Sequence, residues 1–194
     1  KKIKRIAWGI TGSGHYLKES MEIIDDLSDI DLFLSKAGEE VLKWYNYDLK
    51  EYKKRGVKIF KDITASSAPV SMLYEGVYKC LIVSPATSNT VAQMAFGFSD
   101  NLITNMFAQA GKCRIPSIVF ACDTEPTVIT QAPKKMVTLY PRKIELDNFK
   151  NLKQDEIERK NFQEREILPR KDHFFTLTGR DIIFQWGYHG FQDW

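Results

Sequence analysis

The feature that most constrains this chain is an alternation of short apolar runs with longer amphipathic stretches, repeated from residue 5 to residue 141. RIAWGI reads as a buried strand, and HYLKESMEIIDDL follows it with Leu17, Met21, Ile24 and Leu27 at helical spacing. DIDLFLS is a second strand. GEEVLKWYNYDLKEYKKR then predicts one helix, with Val41, Tyr45, Leu49 and Tyr52 on a face and Lys53, Lys54 and Arg55 in its last turn, where cations suit the helix dipole. Gly56 is placed to end it. VKIF is a third strand, and VYKCLIVSP holds a fourth, closed by Pro85. A helix is expected to start near Asn89, and DNLITNMFAQAGK to form another, ended by Gly111. IPSIVFA is a fifth strand and MVTLYP a candidate sixth. This order implies an α/β fold, a Rossmann-like three-layer sandwich with a mostly parallel sheet. Ligands in such sheets sit beyond the carboxyl ends of the strands, at the switch point. The loops after strands one, two, four and five are therefore the ones to inspect.

The first of these, AWGITGSGHYLKES, carries Gly9, Gly12 and Gly14 between a strand and a helix start. Its order is G-x-x-G-x-G, whereas a dinucleotide loop requires G-x-G-x-x-G and an acid after the second strand. Here the second strand ends in Ser35 and Lys36. The Lys-Ser or Lys-Thr pair of a triphosphate loop is also missing. What remains is a tight turn with Thr11 and Ser13 hydroxyls and backbone N–H groups, suited to a terminal phosphate monoester. Ser35 could donate to the same phosphate. A bare strand-to-helix turn is the competing interpretation.

The loop after the fourth strand, SPATSNTVAQ, follows Pro85 with the small or polar residues Ala86, Thr87, Ser88, Asn89 and Thr90. Small side chains let a flat ligand lie on the backbone, and a helix N-terminus offers donors. An elaborate helix cap would have the same composition.

A hydrophobic fraction of 43% and a charged fraction of 27% suit a globular core, and a net charge of +3 is too small to point to nucleic acid or an anionic membrane. No apolar run reaches the roughly 20 residues of a spanning helix, and KKIKRIAWGI does not read as a signal peptide. Three widely spaced cysteines, Cys80, Cys113 and Cys122, predict reduced thiols and a cytoplasmic setting. They also cannot supply a four-cysteine iron–sulfur cluster, and no metal site is expected.

PATSNTVAQMAFGFSDNLITN resembles the P-A-S-A-N-T and G-x-x-D-N-L motifs of the homo-oligomeric FMN-binding flavoproteins. WGITGSGH and LSKAGEEV resemble two further loops of the archaeal flavoprotein and dihydromethanopterin reductase group within that superfamily. The resemblance implies that Gly12, Ser13, Gly14 and Ser35 hold the FMN phosphate. It also implies that Pro85 to Thr90 and Ala121, Cys122 and Asp123 line the flavin. It further implies a homo-oligomer, commonly built from trimers, with FMN at subunit contacts. Residues 1–145 then form the FMN-binding domain, and 146–194 a charged helix and aromatic extension packing on it or on a neighbouring subunit.

The departures narrow the chemistry. The decarboxylases of the superfamily carry a histidine where this chain has Ser71, and their P-x-M-N-x-x-M-W stretch is replaced by ACDTEPTVI. The flavin prenyltransferases carry an arginine and an Arg-Glu pair where this chain has Asn105 and Cys122-Asp123. Lys134, Lys135, Arg142 and Lys143 are the cations left to compensate. The leading expectation is an FMN-dependent oxidoreductase that takes electrons from a separate carrier such as ferredoxin and passes them to a small acceptor, a dihydropterin in some relatives. A flavin prenyltransferase and a non-catalytic FMN-binding module are the alternatives. No catalytic residue is assigned.

Single residues stay open between two roles. His15 is either near the phosphate or ring, or an ordinary first-turn residue; Lys36 faces the phosphate or solvent. Trp8 is expected in the core, and Cys80 as a small buried apolar side chain. LDNFKNLKQDEIERKNFQEREILPRKDH reads as a solvated charged helix. Thr178 and Asp181 fit a capping box ahead of the last aromatic run.

Overall fold

The computed structural model describes residues 4–63, 68–153 and 182–184. Five parallel strands, β1 (Arg5–Ile10), β2 (Ile30–Leu34), β3 (Ile59–Lys61), β4 (Tyr78–Ala86) and β5 (Ser117–Ala121), stand in the order β3-β2-β1-β4-β5. The α/β sandwich with a mostly parallel sheet is thus the observed architecture. The chain runs from β1 outward to β2 and β3, then crosses back to β4 on the other side of β1. The switch point lies between β1 and β4.

Side-chain alternation along β1 explains the three layers. Trp8 and Ile10 point to one face, where they pack with α1 (Leu17–Asp26), α2 (Lys36–Trp44) and α3 (Leu49–Lys54) through Leu17, Met21, Ile24, Val41 and Leu42. Ala7 points to the other face, under α4 (Ser71–Tyr74), α5 (Ser88–Ala95) and α6 (Leu102–Lys112). A Cβ on Gly9 would lie 3.1 Å from Ile103 Cδ1, so the glycine lets α6 approach the central strand. A last helix, α7, covers 143–153 and sends Phe149 and Leu152 into that same core. Trp8 is buried as expected, and its indole N–H donates to the Ser84 carbonyl at 2.7 Å.

Several expectations are corrected. The single helix expected over residues 38–55 is two, α2 and α3. Asn46 takes a left-handed φ of 63°, and the Asp48 side chain accepts from Lys50 N to start α3. Helix α6 runs through Gly111 to Lys112, and the turn is made by Arg114 at φ 55°. β4 continues through Pro85 to Ala86. MVTLYP is a strand, but it does not extend the main sheet. β7 (Met136–Leu139) pairs antiparallel with β6 (Val128–Gln131), a strand the sequence pattern missed. Finally, Ile182–Phe184 forms strand β8, parallel to β5, where the Thr178–Asp181 pattern predicted a helix. Thr178, Asp181 and most of the charged and aromatic extension lie outside the described residues.

Candidate functional site

The carboxyl ends of the central strands are laced together by short polar contacts. Thr11, 1% exposed, donates through its hydroxyl to the Pro85 carbonyl at 2.7 Å and accepts from Thr87 N at 2.9 Å. Its hydroxyl proton is therefore committed to joining β1 to β4. Cys122 N donates to the Ala86 carbonyl at 3.0 Å, and the Ser88 hydroxyl donates to Asp123 Oδ2, joining β4 to β5. Cys122 Sγ lies 3.6 Å from the His15 carbonyl, which closes the circle back to the first loop.

The glycines are explained by close approach. A Cβ on Gly12 would lie 2.5 Å from Ala37 Cβ, and one on Gly38 would lie 2.3 Å from the Ile10 carbonyl oxygen. The N-terminus of α2 is thus pressed against the end of β1 and the glycine turn. Ser35 caps that helix: its side chain accepts from Gly38 N at 2.9 Å, while Ser35 N donates to the Ile10 carbonyl at 3.1 Å. Ser13 Oγ accepts from His15 N at 3.1 Å and tightens the turn. The first N–H groups of a helix have no intrahelical acceptor, and they carry the positive end of its dipole. Gly12, Ser13, Gly14, Ser35 and the first turn of α2 thus lie together as a cradle whose N–H groups could receive an anion. Lys36 and Ala37, which open that turn, are exposed.

On the other side of the switch point, Thr87 caps α5, its Oγ1 accepting from Thr90 N at 3.3 Å and hydrogen-bonded to Thr90 Oγ1 at 3.0 Å. Thr90 is buried, Ser88 half-buried and Asn89 exposed. Pro85, Ala86 and Ala121 are buried beneath them. The two halves of the expected site thus lie side by side at the ends of β1 and β4.

A cavity of about 580 Å³ adjoins the cradle. Gly14 of the cradle lines it together with His15 and Cys122, and the rest of its wall comes from residues the sequence did not single out as site residues. Tyr45 and Tyr47 enter from the break after α2, and Val128, Ile129 and Met136 from the hairpin. Tyr45 Oη donates to the Gln131 carbonyl at 2.8 Å and sits where a Gly14 Cβ would be, 2.1 Å from it. The NYD triplet was the available signal, since Asn and Asp favour a left-handed turn and a helix cap.

Electrostatics separates the titratable groups here. Burial pushes the Cys122 thiol up to about 12, so it stays protonated near neutrality. Burial lowers the pKa of His15 from its ordinary value, against the pull of Asp123 and Glu19. The Tyr16 phenol is raised by burial and then by nearby acidic groups. The cations considered as phosphate ligands are partly spoken for: Arg142 pairs with Glu145 at 2.5 Å and Lys143 pairs with Asp147. Asn105 donates to the Asn101 carbonyl at 3.0 Å. Among the described residues no cluster of metal-ligating side chains occurs, and no helix is long and apolar enough to cross a membrane.

A model of the family described as Flavoprotein matches residues 1–167. The chain belongs to the Flavoprotein family. An uncharacterised protein of Methanocaldococcus jannaschii is 38% identical over 160 residues, covering 78% of this chain and 86% of the relative. A dihydromethanopterin reductase (acceptor) of Methanosarcina mazei is 37% identical over 142 residues, 67% of this chain; the match spans 59% of the reductase's own length. Among solved structures, DmrB of Burkholderia xenovorans in complex with FMN, described as a cubic protein cage for redox transfer, superposes with a TM-score of 0.71. It is 50% identical, and the match covers 85% of this chain and 97% of DmrB.

Proposed function

We propose that this flavoprotein binds FMN and acts as an oxidoreductase, moving electrons from a separate one-electron carrier such as ferredoxin to a small organic acceptor. The observation that carries this reading is the cradle, in which Gly12 admits the α2 N-terminus so closely that a Cβ would meet Ala37 at 2.5 Å. Such a cradle suits one terminal phosphate. Gly12, Ser13, Gly14, Ser35 and the first turn of α2 would hold that phosphate. Pro85 to Thr90 and Ala121 to Asp123 would border the ring. FMN supplies the link between one-electron donors and two-electron acceptors. Thr11 and the Ser88–Asp123 bond keep the two bordering loops in register.

The likeness to DmrB, solved with FMN, supports the cofactor, and the reductase relative supports a dihydropterin as one acceptor. Ser71 in place of a histidine argues against decarboxylation; Asn105, Cys122 and Asp123 in place of cations argue against a prenyl phosphate. We read the donor as a separate protein; the three cysteines of these 194 residues are too few for a four-cysteine cluster. We also read the chain as a cytoplasmic homo-oligomer, trimer-based, in which residues 146–194 extend the domain from 1–145 across itself or onto a neighbour.

Adding FMN to the purified protein tests the reading. A saturable flavin band, with riboflavin bound at least about tenfold more weakly, is expected because riboflavin lacks the phosphate. No binding of FMN sinks it. Bleaching of that band by reduced ferredoxin under anaerobic conditions is expected next; its absence with FMN bound would leave a non-catalytic module. Sedimentation as a monomer with FMN bound would overturn the oligomer.

A further inference from the structure

The cavity beside the cradle differs from it in chemistry. The cradle offers N–H donors to an anion. The cavity is walled by the rings of Tyr16, Tyr45 and Tyr47 and by Val128, Ile129 and Met136. Its charged lining is Lys18, Glu19 and Glu125, and Lys18 lies 3.7 Å from Glu22. No surplus of positive charge is present among these residues to hold a phosphate or carboxylate. Aromatic walls and a volume of about 580 Å³ fit a flat bicyclic or tricyclic ring. The chamber meets the cradle at Gly14, with His15 and Cys122 beside it, so a ring in this chamber adjoins whatever the cradle holds.

His15 is fixed at that border by three contacts. Its N–H donates to Ser13 Oγ at 3.1 Å, its carbonyl lies 3.6 Å from Cys122 Sγ, and its ring lies 3.7 Å from that of Tyr16. Of the side chains lining the chamber, imidazole is the type that changes charge near neutrality. We propose that the chamber seats the electron acceptor, an uncharged planar ring, and that His15 passes it a proton as it is reduced. The inference rests on the redox reading above.

The balance is simple. The acceptor gains two electrons and two protons and leaves carrying two more hydrogens. The two electrons originate in two reduced one-electron iron–sulfur carriers, each of which is oxidised by one electron. One proton leaves an imidazolium N–H of His15, which is recharged from water, and the second comes from water. Carboxylates face His15 from two elements, Glu19 on α1 and Asp123 after β5, with Cys122 and Tyr16 neutral beside it. Lys18 and Glu125 complete the charged surroundings. Burial outweighs the carboxylates and lowers the pKa of His15 from 6.5.

The test uses the full chain loaded with FMN and reduced anaerobically, then mixed with one of two oxidants. Menadione, flat and uncharged, takes up electrons and protons; ferricyanide takes up electrons alone. Menadione turnover is expected to fall as pH rises through the His15 pKa, with ferricyanide flat. His15→Gln should remove that limb and slow menadione at least about tenfold more than it slows ferricyanide. Thr127→Trp, at an exposed position on the chamber wall, should raise the menadione concentration needed for half-saturation and spare ferricyanide. A binding readout needs no flavin. In the FMN-free protein the His15 imidazole resonance, identified by its loss in His15→Gln, should shift saturably with menadione and fail to shift in Thr127→Trp. Parallel slowing of both oxidants in His15→Gln, or no resonance shift in the parent protein, overturns the proposal. If FMN does not bind, the redox reading falls, and the resonance shift still decides whether the chamber takes a flat ring.

Discussion

Thr11 grips Pro85 twice: its amide and its hydroxyl both donate to the Pro85 carbonyl, at 3.3 and 2.7 Å. The same hydroxyl oxygen accepts from Thr87 N, so one buried side chain welds the glycine loop to the β4 loop across the switch point. Thr11→Val keeps the shape and removes the oxygen, stranding the Thr87 amide. A loss of about 1–3 kcal/mol is expected in denaturant unfolding of the FMN-free protein. FMN affinity should fall as well, because the two loops lose their register. Thr11→Ser should recover most of both.

Gly14 and Tyr45 make a second pair whose coupling can be measured. A Cβ on Gly14 would meet Tyr45 Oη at 2.1 Å and Cζ at 2.7 Å, so Gly14→Ala must displace the ring. That displacement also breaks the bond from Tyr45 to the Gln131 carbonyl and frees the hairpin end. FMN binding is expected to weaken at least about tenfold in Gly14→Ala, and Tyr45→Ala alone to have a smaller effect. In the double variant the clash is gone, and the two losses should not add. Additive losses would show that Tyr45 and Gly14 act separately.

Much of this architecture was legible because its signals are local and strong. The alternation of Trp8 and Ile10 with Ala7, and the spacing of Leu17, Met21 and Ile24, are single-strand and single-helix patterns that burial of both sheet faces imposes. The tight turn at Gly12 was legible because close backbone approach leaves glycine there. The chamber was not, because its wall is assembled from pieces with no shared period. Tyr45 and Tyr47 looked like two more positions in a long amphipathic run, and only the left-handed Asn46 turns them off the helix. VITQ and MVTL are too short to reveal that they pair with each other and not with the main sheet. The fate of Thr11 could not be read either: its partners, Pro85 and Thr87, lie 74 and 76 residues away.

His15 gives the fold a pH dependence with a definite sign. Burial lowers its folded-state pKa, so the unfolded chain takes up a proton at higher pH than the native state does. Stability associated with neutral His15 is complete above the unfolded value of about 6.5 and is lost as pH falls through the lower folded value. The parent should therefore lose stability relative to His15→Gln as pH falls through that window, with a constant difference above and below it. The difference between the two proteins isolates this group from the carboxylates that titrate in acid. A constant difference from pH 8 to pH 5 would show that His15 ionises alike in both states.

Cys122 should be chemically silent in the native protein. Its thiol is buried and pushed up to about 12, and a thiol reacts through its thiolate. Iodoacetamide at pH 8, followed by peptide mass analysis, should leave Cys122 unmodified until denaturant is added. Rapid native labelling would show that the β5 end opens to solvent.

At the opposite ends of the strands, Asp31 is fully buried and collects four donors. Arg5 reaches it through Nε and Nη2 at 2.9 and 2.7 Å, Tyr78 Oη at 3.0 Å and Lys58 N at 3.0 Å. These contacts join the amino-terminal ends of β1, β2 and β4, far along the strands from the cradle. Tyr78→Phe removes one bond to a charged acceptor and should cost about 1.5–3 kcal/mol of stability. Asp31→Ala removes the only charged partner of Arg5 among these contacts, leaving it the Ile30 carbonyl and leaving the Tyr78 hydroxyl the Met72 thioether, and should cost about 3–5 kcal/mol. Because neither change touches the carboxyl-end loops, FMN affinity measured well below the unfolding midpoint should stay within about twofold of the parent value in both. A drop in affinity matching the Thr11→Val variant would mean that the amino ends of the sheet hold the switch-point loops in place, and that the site depends on the length of the strands as much as on their tips.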